Sequence, residues 1–149
     1  GDKNMLIPMK VDYGVRILVH LASLPPDSVE KATVISKKRH IPEKFLFQIS
    51  NELIEKNFIK SMRGPKGGYS LARNSSEISI ADIIEGLDKN MAPVACLYNS
   101  DICQISGHCA QQDMWSDVEQ TLISKLETVT IKDLAEKDRV VIDTAKLEN

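Results

Sequence analysis

Residues 58–72 place the tightest constraint on the fold. Two short runs with strand character, Phe58 to Met62 and Tyr69 to Ala72, flank the basic, glycine-rich stretch Arg63-Gly64-Pro65-Lys66-Gly67-Gly68. Such runs, bounded by glycine and proline, predict an antiparallel hairpin. The three glycines of the connection allow positive φ and close approach of backbone to a ligand. What precedes the hairpin is helical. Val11, Val15, Leu18, Val19 and Ala22 recur at three- and four-residue steps, as one buried helical face requires, and Pro25-Pro26-Asp27 ends that helix. A second helix fits Thr33 to Arg39. Ile41-Pro42 before Glu43 puts a proline at the first turn of a third, which runs to about Lys56 and stops at Asn57. Phe45, Leu46, Ile49, Leu53 and Ile54 form its expected buried face and leave Lys44, Phe47, Gln48, Asn51 and Glu55 exposed. Helix, helix, helix, hairpin is the order of a winged helix-turn-helix. The expected fold class is therefore mainly α with a small β-hairpin wing, the winged unit covering residues 9–88.

The remainder reads as an appendage to that unit. Ser79-Ile80-Ala81-Asp82 resembles a capping box and opens a fourth helix through Ile83, Ile84 and Leu87, ended by Gly86 and Asp88. An irregular segment, 89–109, carries all three cysteines of the chain, and a loop of that length inside a compact protein is usually functional. A long helix from about Cys109 to Val129 bears the apolar stripe Trp115, Val118, Leu122, Leu126 and Val129, which needs a partner surface. Pairing with the same helix of a second chain is preferred over burial on the parent domain, because a two-fold dimer matches palindromic DNA. Residues 110–138 are thus expected to hold a dimerisation helix and a short capped C-terminal helix from Thr130 to Glu136, with a frayed tail beyond Asp138.

Charge points the same way. Residues 1–73 carry 13 Lys/Arg against 7 Asp/Glu, whereas residues 74–149 carry 6 against 14. A basic half joined to an acidic half suits a nucleic-acid binder with a separate regulatory segment. Asp12, Arg16 and His20 interrupt the only stretch resembling a signal peptide, and no apolar run approaches the roughly 18 residues of a membrane span. A cytoplasmic protein without a membrane partner is the expectation. The hairpin tip matches neither dinucleotide nor P-loop fingerprints, and no Ser/His/Asp or paired-carboxylate constellation is apparent, so no enzymatic activity is expected.

Three cysteines cannot all pair within one chain, which favours metal binding or redox chemistry. Their spacing, Cys96-x6-Cys103-x5-Cys109, differs from ferredoxin patterns and from the paired knuckles of zinc ribbons. Thiolates are soft, charge-donating ligands suited to iron–sulfur clusters, although three free thiols or a Cys3His zinc site using His108 remain open. His108 adjoins Cys109, an awkward geometry for two ligands of one ion. On the third helix, Lys44 and Gln48 lie four apart near the start, where base edges are usually met; Gln can pair with adenine, and Lys can reach guanine or phosphate. Phe47 suits a thymine methyl. Lys37, Lys38 and Arg39 are candidate phosphate contacts, and Arg63 with Lys66 at the wing could enter a minor groove or grip phosphates. His20 and His40 are assigned no role.

With Lys10-Val11-Asp12-Tyr13-Gly14-Val15-Arg16, the wing Arg63-Gly64-Pro65-x-Gly67-Gly68-Tyr69, the three-cysteine loop and Trp115 in view, the chain resembles the Rrf2 family of bacterial regulators, its cluster-binding branches in particular. The resemblance covers nearly the whole chain. It implies a winged-helix homodimer with crossed long helices that binds a double-stranded DNA operator under control of a labile iron–sulfur cluster, [2Fe-2S] or [4Fe-4S]; the role expected of such a regulator here is that of a repressor. IscR-like members use a histidine three residues after the last cysteine, where this chain has Gln112. NsrR-like members use an aspartate on the first helix, supplied by the other subunit, at the place of Asp12. Cys96, Cys103, Cys109 and Asp12 are therefore the ligand set this resemblance implies. Nitric oxide, redox state and iron are the candidate signals. The competing classes are a winged-helix regulator using thiol oxidation or zinc, and a small electron-transfer iron–sulfur protein.

Overall fold

The computed structural model describes residues 7–88, 101, 104, 105 and 107–138. Helix α1 spans Met9–Ala22, α2 Ala32–Arg39 and α3 Glu43–Glu55; the hairpin strands are β1, Ile59–Met62, and β2, Gly68–Leu71. A single 3-10 turn, Ser75–Glu77, leads to α4, Ile80–Leu87, followed by α5, Ala110–Glu127, and α6, Ile131–Lys137. This is the mainly helical fold with a two-stranded wing that the residue pattern predicts.

Helix α1 is the hub, packed against α2, α3, α4, α6 and β2. Surrounded in this way, it buries more than one stripe: Val11, Gly14, Ile17, Leu18, Val19, His20 and Leu21 are all enclosed. Val15 and Ala22, expected in the core, are only partly covered. Gly14 gives room to α4, since a β-carbon there would stand 2.5 Å from the Leu87 Cδ1 and that side chain would have to shift. Gly86 serves likewise. It lies inside α4 and does not end it, and a β-carbon would stand 2.9 Å from the Phe58 ring. The Ser79/Asp82 capping box is formed, and Asp88 is the C-cap.

The turn between α2 and α3 is made by His40 in the left-handed region, φ 53. Pro42 is the N-cap of α3 and Glu43 its first residue, so the proline sits one position earlier than expected. Asn57 turns the chain with φ 62 into the hairpin. There Ile59 pairs with Leu71 and Met62 with Gly68. A third segment completes the wing's base: Glu30 N–H donates to the Tyr69 carbonyl at 2.9 Å, and Tyr69 N–H donates back at 2.8 Å. Buried Phe58, Ile59 and Tyr69 then join the hairpin to the helical core.

Helix α5 contacts α4 but buries no residue of its own. After it the chain returns. Ile80 N–H donates to Val129 and Ile131 N–H to Ile78, each at 2.9 Å, and Ile131 is fully buried. A second capping box, Thr130 with Asp133, starts α6, which lies along α1. The α5 excursion is therefore pinned to the winged body at both α4 and α6. The tail from 139 onward lies outside the described residues.

Gly68 and Gly64 both have positive φ, 151 and 105, but a β-carbon at Gly68 would run into the Glu30 carbonyl, whereas Gly64 has open space around it. Gly68→Ala should cost about 2–3 kcal/mol in urea unfolding and Gly64→Ala about 1 kcal/mol, the second being backbone strain alone. Equal losses would contradict the close approach of Glu30 to the wing.

Candidate nucleic-acid interface and cysteine site

Helix α3 divides as an amphipathic helix should. Leu46, Ile49, Ser50 and Leu53 face the core, while Lys44, Phe47, Gln48, Asn51 and Glu55 are exposed. Phe45, expected in the core, is instead 42% exposed and leans on Tyr13 of α1 at 6.4 Å between ring centroids. Two phenylalanines, Phe45 and Phe47, thus stand half out of the surface beside Lys44 and Gln48.

At the wing, Gly67 N–H closes on the Gly64 carbonyl at 2.9 Å. This turn lifts Arg63 and Lys66 into solvent, and neither makes an ion pair with a described residue. Lys37 on α2 is exposed and Lys38 partly so. Arg39 has a different fate. It is 7% exposed, and its guanidinium grips the Asp138 carboxylate in two hydrogen bonds of 2.9 and 2.7 Å, so it is withdrawn from any role as a phosphate contact.

An exposed, partly basic helix behind a tight turn, with a cationic hairpin tip beside it, is the arrangement by which winged-helix proteins hold a recognition helix and a wing against one duplex. Comparison with known proteins decides the family. Residues 7–137 match the Rrf2 family model, described as an iron-dependent transcriptional regulator. The chain belongs to the Rrf2 family. A relative in Mycobacterium tuberculosis, whose name proposes an HTH-type transcriptional regulator, is 34% identical over 131 residues, covering 88% of this chain and 81% of the relative. Among solved structures, CymR, the global cysteine regulator of Bacillus subtilis, superposes with a TM-score of 0.74 at 26% identity over 89% of this chain and 97% of CymR. IscR of T. potens gives 0.73 at 23% identity over 92% and 90%, a likeness of fold alone. As an Rrf2 protein the chain is a DNA-binding transcription regulator, a family of regulators and not of enzymes. Among the described residues no helix is long and apolar enough to cross a membrane.

Of the residues expected to hold a cofactor, Cys96 and Cys103 lie outside the described residues. Cys109 is the N-cap of α5; its half-buried thiol is free and makes no capping hydrogen bond. That position places the sulfur at the N-terminus of an 18-residue helix. Gln112, standing where IscR-like proteins have histidine, accepts a 2.7 Å hydrogen bond from Gly107 N–H and so folds back on the turn before α5. Asp12 lies in the first turn of α1 and pairs with Arg16 at 2.8 Å, both about 40% exposed. Arg16 also donates to the Arg39 carbonyl at 3.1 Å and stacks over Tyr13 at 5.2 Å. Among the described residues no group of three or more His, Cys, Asp or Glu converges on a metal-sized site.

Sequence reasoning gave His20 no role, yet it is fully buried and hydrogen-bonded on both ring nitrogens. Its isolation among aliphatic residues on the most buried helix was the available signal.

Arg63→Ala should leave helical content unchanged, weaken duplex binding and lower the slope of log affinity against log salt by about one, the loss of one phosphate contact. An unaltered salt slope with weakened binding would mean that Arg63 reads base edges or groove width.

Proposed function

We propose that this Rrf2 protein is a dimeric repressor whose hold on its operator is governed by an iron–sulfur cluster bound by Cys96, Cys103 and Cys109, with Asp12 of the partner protomer as fourth ligand. The observation that carries the reading is the position of Cys109. The last of three cysteines opens the long helix α5 with a free, half-buried thiol, held by a regular element and open to a ligand. The donor set fits the group: three soft sulfurs suit iron, and a carboxylate is a weaker, exchangeable fourth partner. Such a cluster would supply iron open to attack by nitric oxide or oxygen.

The chain's own residues supply the rest. Arg16 holds the Asp12 carboxylate at 2.8 Å while leaving it about 40% exposed, so the carboxylate is positioned without being covered. Leu122 and Leu126 of the α5 stripe pack on the winged body, while Val118 of the stripe and Met114 beside it, each nearly half exposed, would offer the apolar surface through which two protomers pair. The proposed duplex contacts are Lys44 and Gln48 at base edges, Lys37 and Lys38 on phosphates, and Arg63 and Lys66 at the wing.

Protein purified without air should be coloured, with iron and acid-labile sulfide in matching amounts, and Cys103→Ala should be colourless while folding normally. A colourless wild type that cannot be reconstituted overturns the cluster; bound zinc, or thiols that oxidise reversibly, would then establish the other sensing chemistry. Asp12→Ala should give a cluster that bleaches faster in air. Loss of the exposed Asp12–Arg16 pair costs the fold at most about 1 kcal/mol, so faster bleaching reports ligation and not unfolding. A cluster as durable as that of wild type would remove Asp12 from the ligand set.

A further inference from the structure

One buried polar network joins four parts of the fold that the regulator must keep in register. At its centre is His20 of α1, with no exposed surface. Arg39 Nε–H donates to its Nδ1 at 3.0 Å, and its Nε2 stands 3.1 Å from a Glu30 carboxylate oxygen. Because arginine can only donate, Nδ1 must be the acceptor, and the ring is the neutral tautomer with its hydrogen on Nε2, directed at Glu30. Beyond the histidine, Arg39 makes its paired hydrogen bonds to Asp138, which also accepts from the Ser23 hydroxyl at 3.1 Å.

The ends of this network are the two halves of the DNA-binding surface. Glu30 is bonded through its backbone to Tyr69 of β2, the base of the wing. Arg39 is the last residue of α2, immediately before the turn that launches α3. Asp138 ties in the chain just after α6. A duplex contacts wing and recognition helix together, so the spacing between them is part of the binding site.

We propose that His20, Arg39 and Asp138 are positioning residues for DNA binding: their network holds the wing and the helix-turn-helix at one spacing, and protonation of His20 releases it. An imidazolium has a donor on each nitrogen. Its Nδ1–H would then face the Arg39 guanidinium, so the 3.0 Å hydrogen bond is replaced by two opposed donors of like charge. The charged groups around the ring are Arg39 and Lys38 of α2, which oppose its protonation, and Glu30, which favours it; Asp138 acts through Arg39. Burial is the largest influence and lowers the pKa below the ordinary 6.5. The unfolded or opened chain therefore binds the proton more readily than the closed one. The network's contribution is complete above 6.5 and is lost as pH falls below it toward the lowered value.

The sign of the effect is diagnostic. A general gain of positive charge in acid would strengthen attraction to DNA, whereas charging His20 weakens binding. The test uses full-length protein isolated without air and duplexes selected by it from a random library at neutral pH. Affinity is measured as pH is lowered through 6.5, for wild type and for His20→Gln, whose side chain carries an acceptor and donors but does not titrate. Wild-type affinity should fall by up to about tenfold per pH unit for each protomer bound, the limit for one linked proton apiece, while His20→Gln should be flat or gain affinity. Identical profiles in the two proteins would overturn the proposal.

Should His20→Gln fail to fold, judged by helical content, the ring nitrogens of wild type can be followed by nuclear magnetic resonance. A hydrogen on Nε2 at neutral pH and titration in step with the loss of binding are expected; a ring that stays neutral while affinity falls overturns the assignment. Iron and sulfide content, measured on the same samples, separates this result from the cluster reading, on which it does not depend.

Discussion

Burial of α1 on nearly every side is the constraint on which the rest of the molecule depends. Ile17 and Leu18 are fully enclosed, and α2, α3, α4, α6 and the wing all close on this one helix. A helix so covered has room for only a few polar side chains, and each must be hydrogen-bonded or reach the edge of the packing. His20 is held on both sides, and Arg16 and Asp12 pair with each other at the rim. The demand extends to side-chain size, since Gly14 leaves the space that the Leu87 side chain occupies. Because the same helix touches the turn before α3, the base of the wing and α6, a change at its exposed start has a short, packed route to the DNA-binding surface.

Much of this was legible in the residues because the signals are local. The hairpin follows from Arg63 to Gly68 and its flanking strand formers, the α4 start from Ser79 and Asp82, and the exposed face of α3 from its apolar period. What was missed depends on contacts distant in sequence. Phe45 fits the apolar period of α3, but Tyr13 meets it at the surface and the core does not need it. Arg39 looked like the end of a basic run until Asp138, 99 residues away, claimed its guanidinium. Gly86 resembled a helix stop because its purpose, room for Phe58, lies in another element. The pairing of Ile78 with Ile131, which brings α6 back onto α1, also has no local signature.

The candidate site divides along the same line. Helix and wing positions are set by short-range geometry, so Lys44, Gln48, Arg63 and Lys66 stand exposed as their patterns suggest. The three cysteines belong to a segment with no periodicity, and of them Cys109, the N-cap of α5, is the one among the described residues. The Rrf2 fold accommodates proteins as different in name as CymR and IscR on nearly the same backbone. The winged body is thus common ground, and a shared fold leaves function to the side chains placed on it.

The most direct test of signal-controlled DNA binding is protection of a selected operator by one preparation, divided into anaerobic protein as isolated and protein from which iron has been removed by chelation. The account predicts two protected half-sites about one helical turn apart, related by two-fold symmetry, with one of the two forms binding at least about tenfold more tightly, a coupling of ordinary size for an effector. Equal protection by both forms, or a single unpaired half-site, would contradict it.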